Sequence, residues 1–297
     1  GNNSGVAFVY ERQTAGTWTE TKLLASDGSG GDFFGRAVGI SGNIAVVGAT
    51  SANTTGTAYV YERQAPGTWN ETILTPSDVA ISIAFGGSVS LDGDRLIVGA
   101  EVDDDNHNDS GAAYIYERQA AGSWTETKLK ASDVAADDRF GFAVSISGDR
   151  AVIGAYANDD AGSSSGAAYI FSRQASGNWT EEKIIANDAA AGDNYGTSVA
   201  INSDRVVVAA PEDDDSGSAS GSFYLYELSE AGSWLETKIV PSTGAANDRL
   251  GAQGHGIAIS GSEIAVGSYN DDDNGNDSGS VYLFSTAAQC IDTGACY

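Results

Sequence analysis

The stretch F-G-F-A-V-S-I-S-G-D-R-A-V-I-G-A, from Phe140 to Ala155, decides the fold. It reads as two short apolar strands joined by S-G-D, whose Gly and Asp supply the backbone conformations that a tight hairpin needs. The hairpin recurs as F-G-R-A-V-G-I-S-G-N-I-A-V-V-G-A from Phe34 and as Y-G-T-S-V-A-I-N-S-D-R-V-V-V-A-A from Tyr195. Looser copies start at Phe85 and Leu250, the second with extra residues between Gly251 and Ile259.

Around each hairpin lie two further strands. An aromatic one precedes every tryptophan: G-V-A-F-V-Y-E-R-Q from Gly5, with copies from Gly56, Gly111, Gly166 and Gly221, and a sixth, G-S-V-Y-L-F-S-T-A, from Gly279. Trp18, Trp69, Trp124, Trp179 and Trp234 each stand in G-x-W and open a strand like T-E-T-K-L. Their steps are 51, 55, 55 and 55 residues. Four strands repeating at this period describe a propeller blade. A β-helix repeats over far fewer residues, and a sandwich does not repeat its sequence. The composition agrees, with 38 Gly, 4 Pro and 41% hydrophobic residues: many short strands and turns, little helix.

Call the strands A and B (the hairpin), C (aromatic) and D (from the tryptophan). A, B and D occur five times and C six times. An all-β propeller of five four-stranded antiparallel blades is therefore expected over residues 1–286, with a short tail over 287–297. Six or seven blades is the alternative if the chain belongs to a larger wheel. Closure is expected to join the last A and B strands (Gly251 to Ser268) to the first C and D strands (Val6 to Leu24), removing an exposed edge. The surplus C strand would widen that blade, lie over an edge, or pair with a neighbouring molecule.

The F-G that opens strand A and the V-G-A that closes strand B resemble the FG-GAP repeat. That repeat builds the head of integrin α subunits and occurs in bacterial and archaeal surface proteins. The resemblance runs from Gly5 to about Phe284 and implies a propeller with a binding or adhesive role outside the cell. Two departures matter. The Pro that follows G-A survives only as Pro211, and the D-x-D-x-D-G calcium loop between A and B is absent, since S-G-N-I, D-G-D-R, S-G-D-R, N-S-D-R and S-G-S-E are too short. The integrin calcium site is not carried over, and no R-G-D tripeptide is present.

Asp and Glu number 41 against 15 Lys and Arg, a net charge of −26. Such a surface repels nucleic acid and anionic membranes and favours cations, cationic partners or a salty medium. The acids concentrate in B-to-C loops: E-V-D-D-D-N-H-N-D-S-G from Glu101, N-D-D-A-G-S-S-S-G from Asn158, P-E-D-D-D-S-G-S from Pro211 and D-D-D-N-G-N-D-S-G from Asp271. The loop T-S-A-N-T-T-G from Thr50 has none. The D-to-A loops add Asp27, Asp32, Asp78, Asp133, Asp137, Asp138, Asp188, Asp193 and Asp248. Because strands alternate in direction, both loop sets emerge on one face. Oxygen-only ligands suit Ca²⁺, so Asp103, Asp105, Asp109, Asp160, Asp213, Asp215, Asp271, Asp273 and Asp277 are the candidate ligands. The competing reading is of solvated turn residues that favour bends.

Cys290 and Cys296 bracket five residues and can close a small disulfide loop, which implies an oxidising compartment. Two thiols alone make an incomplete metal site. There is no Met and no apolar run of membrane-spanning length, which reads as a processed chain from which a signal peptide could have been removed. N-x-S/T sequons at Asn2, Asn53, Asn70, Asn108, Asn178 and Asn276 would be glycan acceptors in a secretory protein.

No catalytic constellation can be assembled. His107 and His255 lie in different repeats with no nucleophile placed by motif, and the carboxylate pairs recur in every copy, as a fold or metal feature does. The tryptophans suit packing between blades better than stacking on sugars. The expectation is a non-enzymatic extracellular or cell-surface module for adhesion, recognition or assembly, with a protein or glycan partner. A carbohydrate-binding propeller and a subunit of a surface filament are the alternatives.

Overall fold

The computed structural model describes residues 4–14, 16–78, 83–105, 107–252, 256–273 and 275–286. β1 (Ala7–Arg12) and β2 (Trp18–Leu23) form an antiparallel pair. The first blade is β3 (Ala37–Ser41), β4 (Ile44–Ala49), β5 (Thr57–Ala65) and β6 (Thr68–Leu74). The second is β7 (Val89–Asp92), β8 (Arg95–Ala100), β9 (Ala112–Ala120) and β10 (Ser123–Leu129). The third is β11 (Ala143–Ser147), β12 (Arg150–Ala155), β13 (Ala167–Arg173) and β14 (Trp179–Ile184). The fourth is β15 (Ser198–Asn202), β16 (Arg205–Ala210), β17 (Ser222–Leu228) and β18 (Trp234–Ile239). The fifth has three strands, β19 (Ile257–Ser260), β20 (Glu263–Ser268) and β21 (Ser280–Ser285). A single 3-10 turn, Ala52–Thr54, is the only helical element among the described residues.

The first four blades are antiparallel meanders in the predicted order A-B-C-D, and the fifth runs A-B-C. In the third, Ala143 faces Gly154, Ala155 faces Ala167, and Ala168 faces Ile184. Strand B lies between neighbouring blades and is covered on both sides, which is why β12 reads R-A-V-I-G-A without alternation and is buried from Ala151 onward. Strand D is the outer strand, so β14 alternates between half-buried and exposed residues.

The repeat-invariant residues make the blade junctions. Phe34, Phe85, Phe140 and Tyr195 each meet the first C-strand tyrosine of their own blade edge-on, with 5.3 Å between ring centroids in all four cases. The same four residues form parallel bridges to Gly5, Gly56, Gly111 and Gly166, which open the preceding C strands. A Cβ at Gly154 would lie 1.9 Å from the carbonyl oxygen of Gly196 in the next blade, so the glycine of V-G-A sets the blade spacing. In the fourth blade Ala209 takes that place, and the next strand A enters through Leu250 instead of an aromatic.

The expected mixed closing blade differs from what is observed. β20 keeps its own C strand, β21, and no described strand pairing links β1 or β2 to the fifth blade. The fit of β21 explains this: Phe284 packs on Phe223 at 4.9 Å between centroids, and the Tyr282 hydroxyl donates to Asp271. The outcome is visible at strand A. Val144 and Ile146 are 6% and 4% exposed beneath the preceding blade, whereas their counterparts Val38 and Ile40 are 63% and 59% exposed.

Candidate functional site

The B-to-C and D-to-A loops meet on one face, as strand parity requires, and a lysine from strand D lies at three of these meeting points. The register puts it there. Lys128, Lys183 and Lys238 are the cross-strand neighbours of Tyr114, Tyr169 and Tyr224, and each ammonium lies 5.1 to 5.4 Å from its tyrosine ring centroid.

In the second blade Lys128 Nζ is 2.7 Å from Asp78, 2.9 Å from Asp103 and 2.5 Å from Asp105, and Lys130 adds a contact to Asp105 at 2.9 Å. In the third, Lys183 Nζ is 2.6 Å from Asp133, contacts Asp160, and donates to Asn158 Oδ1 at 3.3 Å. In the fourth, Lys238 Nζ lies 2.7 Å from Asp188, 2.7 Å from Asp213 and 2.6 Å from Asp215. Those three carboxylates place oxygens within 4.8 Å of one another. The tyrosine hydroxyls complete each cluster, Tyr114 donating to Asp78 and Asp103, Tyr169 to Asp133, and Tyr224 to Asp188 and Asp213.

The electrostatics follow from these contacts. Hydrogen bonds from Lys128 and Lys130 lower the Asp105 carboxyl to about 2. Burial works against the Lys183 ammonium, yet Asp133 and Asp160 hold its pKa above the ordinary value. Asp138 and Asp193 go the other way: burial pushes both carboxyls up. Asp138 accepts the Ala135 backbone N–H, and the nearby Asn158 amide counters part of the upward push.

The remaining expected ligands have other partners. Asp109 pairs with Arg139 at 2.8 Å and does not join Asp103 and Asp105. Asp271 is buried and accepts the Asp273 N–H, the Ser280 hydroxyl and the Tyr282 hydroxyl. Asp273 and Asp277 are exposed. Among the described residues no lysine reaches this fifth loop, and Thr243 stands where the other blades carry Asp78, Asp133 and Asp188. The middle acids instead close their own loops, since Asp104, Asp159, Asp214 and Asp272 each accept a backbone N–H five residues on.

Sequence reasoning does not single out the lysines, although a signal for them exists. The first blade has the acid-free loop, and there Ile73 replaces the lysine opposite Tyr59. Across the first four blades, loop acids and lysine are gained and lost together. The opposite face repeats the lesson: Arg63 pairs with Glu11, Arg118 with Glu62 and Arg173 with Glu117, each across a blade junction. At the next junction both partners change, to Ser172 and Leu228.

Trp69, Trp124, Trp179 and Trp234 pack half-buried against blade cores, and only Trp18 is strongly exposed, at 61%. Asn53, Asn70, Asn108, Asn178 and Asn276 are all exposed, as is His107. Cys290, Cys296, Asn2 and His255 lie outside the described residues.

The FG-GAP repeat profile matches residues 18–61, 69–116, 124–171, 179–226 and 234–284. The chain belongs to the FG-GAP repeat family. Each match runs from a D strand through the next C strand, so the FG-GAP unit straddles two blades of this wheel. A search of curated proteins finds no match. Among solved structures, a provisionally named 6-phosphogluconolactonase from Bacteroides uniformis is similar with a TM-score of 0.57 at 13% identity. The alignment covers 98% of this chain and 76% of that one. At that identity the likeness concerns the fold alone.

Proposed function

We propose that this FG-GAP propeller is the non-catalytic binding module of an extracellular or cell-surface protein, and that it presents its acidic loop face to a protein or glycan partner. The observation that carries the reading is the convergence of both acidic loop sets on one face, with their geometry fixed by internal lysines. A rigid anionic surface favours a partner of complementary charge and disfavours nucleic acid. Three exposed acids that no lysine touches, Asp104, Asp159 and Asp214, are among the charges available to that partner. Changing them to Asn keeps the loop-closing acceptor and removes the charge. Capture of a surface-protein partner that survives in this triple variant would overturn the reading.

Calcium belongs to the proposal in a narrowed form. In the second, third and fourth blades a lysine ammonium already sits among the carboxylates, and a divalent ion would have to displace it. The loop with Asp271, Asp273 and Asp277 offers oxygen donors with no competing lysine among the described residues, a donor set of the kind Ca²⁺ takes. The test is a thermal melt with Ca²⁺ and after chelation at matched ionic strength. A site filled at a hundred times its dissociation constant adds roughly 2.7 kcal/mol, a rise of a few degrees. That rise should vanish in Asp271→Asn with Asp273→Asn. Equal melts in the wild type would leave lysine as the cation of this face.

A further inference from the structure

Within the three lysine clusters, Asn158 is the single position where an amide replaces a carboxylate; Asp103 and Asp213 occupy it in the second and fourth blades. The amide is buried, at 2% exposure. Its Oδ1 accepts from Lys183 Nζ at 3.3 Å on one side and from the Asp160 backbone N–H at 3.3 Å on the other. Asp138, itself 3% exposed, lies near enough for the amide to counter part of the upward push of burial on its carboxyl. An amine thus touches the carbonyl oxygen of a buried amide, a backbone donor is bonded to the same oxygen, and a buried carboxyl lies beside the amide. These are the parts of an acyl transfer gathered in one cluster.

We infer that Lys183 and Asn158 join through an intramolecular isopeptide bond, from Nζ to Cγ, with Asp138 as proton carrier. One proton of the ammonium passes to Asp133, 2.6 Å away. The free amine attacks Cγ and forms the new C–N bond, while the Asp160 N–H stays bonded to the developing oxyanion. Asp138 takes the second Nζ proton and hands it to the departing amide nitrogen. The old C–N bond breaks and ammonia leaves, picking up the proton lent to Asp133. Amine and primary amide become secondary amide and ammonia, with no oxidant, reductant or cofactor. The ion pairs to Asp133 and Asp160 keep the neutral amine scarce, which slows the step. The step is needed only once per chain, and the loss of ammonia makes it irreversible.

The neighbouring blades act as internal controls. In the second blade a carboxylate stands in place of the amide, and Ile83 replaces Asp138. In the fourth, Asp193 is present but Asp213 is a carboxylate, whose negative charge repels a nucleophile. One bond per chain is therefore expected, tying the B-to-C loop to strand D of the third blade.

The experiment is an intact mass of the reduced, expressed chain. The expected value is about 17 Da below the sequence mass, one ammonia, with a branched peptide joining residues 158 and 183 after digestion. Lys183→Arg keeps a cation in the cluster and should restore the full mass. A wild-type chain at full mass overturns the inference. So does a deficit that persists in Lys183→Arg, because the ammonia would then come from ring closure at an asparagine.

Discussion

The first and fourth blades are built from the same four strands around equivalent aromatic pairs, Phe34–Tyr59 and Tyr195–Tyr224, 5.3 Å apart in each, yet they differ at the loop face. The first has an acid-free loop and Ile73; the fourth has Asp188, Asp213 and Asp215 gathered on Lys238. The acidic loops are therefore no requirement of the fold. Across the first four blades what travels is a unit, a cation together with the carboxylates around it, whereas the fifth loop holds its buried Asp271 by an N–H and two hydroxyls instead.

The largest expected effect comes from breaking that unit. Lys238→Met should destabilise the chain by roughly 2 to 3 kcal/mol in a thermal or urea melt, at the low end for a partly buried pair because Asp215 is partly solvated. Adding Asp213→Asn to that variant should recover part of the loss, the coupling that a double-mutant cycle reads. No loss in Lys238→Met would erase the distinction between the two blades.

Next in size is the tyrosine hydroxyl. Tyr224 donates to two carboxylates, whereas Tyr59 donates only to Asp27. Tyr224→Phe should cost about 1.5 kcal/mol and Tyr59→Phe about half of that, read as the difference between their urea midpoints. Equal costs would mean that the fourth-blade cluster adds nothing to the shared aromatic core.

Acid separates the blades by sign. The Asp105 carboxyl titrates lower in the folded chain than unfolded, at about 2. Its contribution is present above the unfolded carboxylate range and is lost as pH falls towards about 2. Asp138, raised by burial, acts in the opposite sense: its penalty grows as pH rises through the unfolded carboxylate range and is complete above its folded pKa. Melts between about pH 5 and about pH 2 should fall less steeply in Asp105→Asn than in the wild type. The smallest effect is expected for Ile73→Lys. It supplies a cation to a loop with few acids and should change stability by no more than about 0.5 kcal/mol in the same melt.

The blade and its order are legible in the sequence because the repeat fixes them five times over: tryptophan spacing, F-G, V-G-A and the aromatic strand all point to one meander. Parity of the strands also places both acidic loop sets on one face. The contents of that face are not legible in the same way. Lys128, Lys183 and Lys238 read as ordinary exposed residues of an outer strand, and only cross-strand register with the C-strand tyrosines turns them inward. The comparison of Ile73 with the acid-free loop holds the clue, since two changes in one repeat mark a contact. Closure escapes the sequence for a different reason. Counting strands shows which ones lack partners, but the packing of Phe284 on Phe223 decides which partner β20 keeps.

The chain has five lysines, and three of them are enclosed by carboxylates. To an amine-directed reagent, the folded protein therefore offers chiefly Lys22, which is exposed, and Lys130, which shares Asp105. Lysine-targeted coupling should thus anchor the wheel through a few defined points and leave its acidic face open to solution.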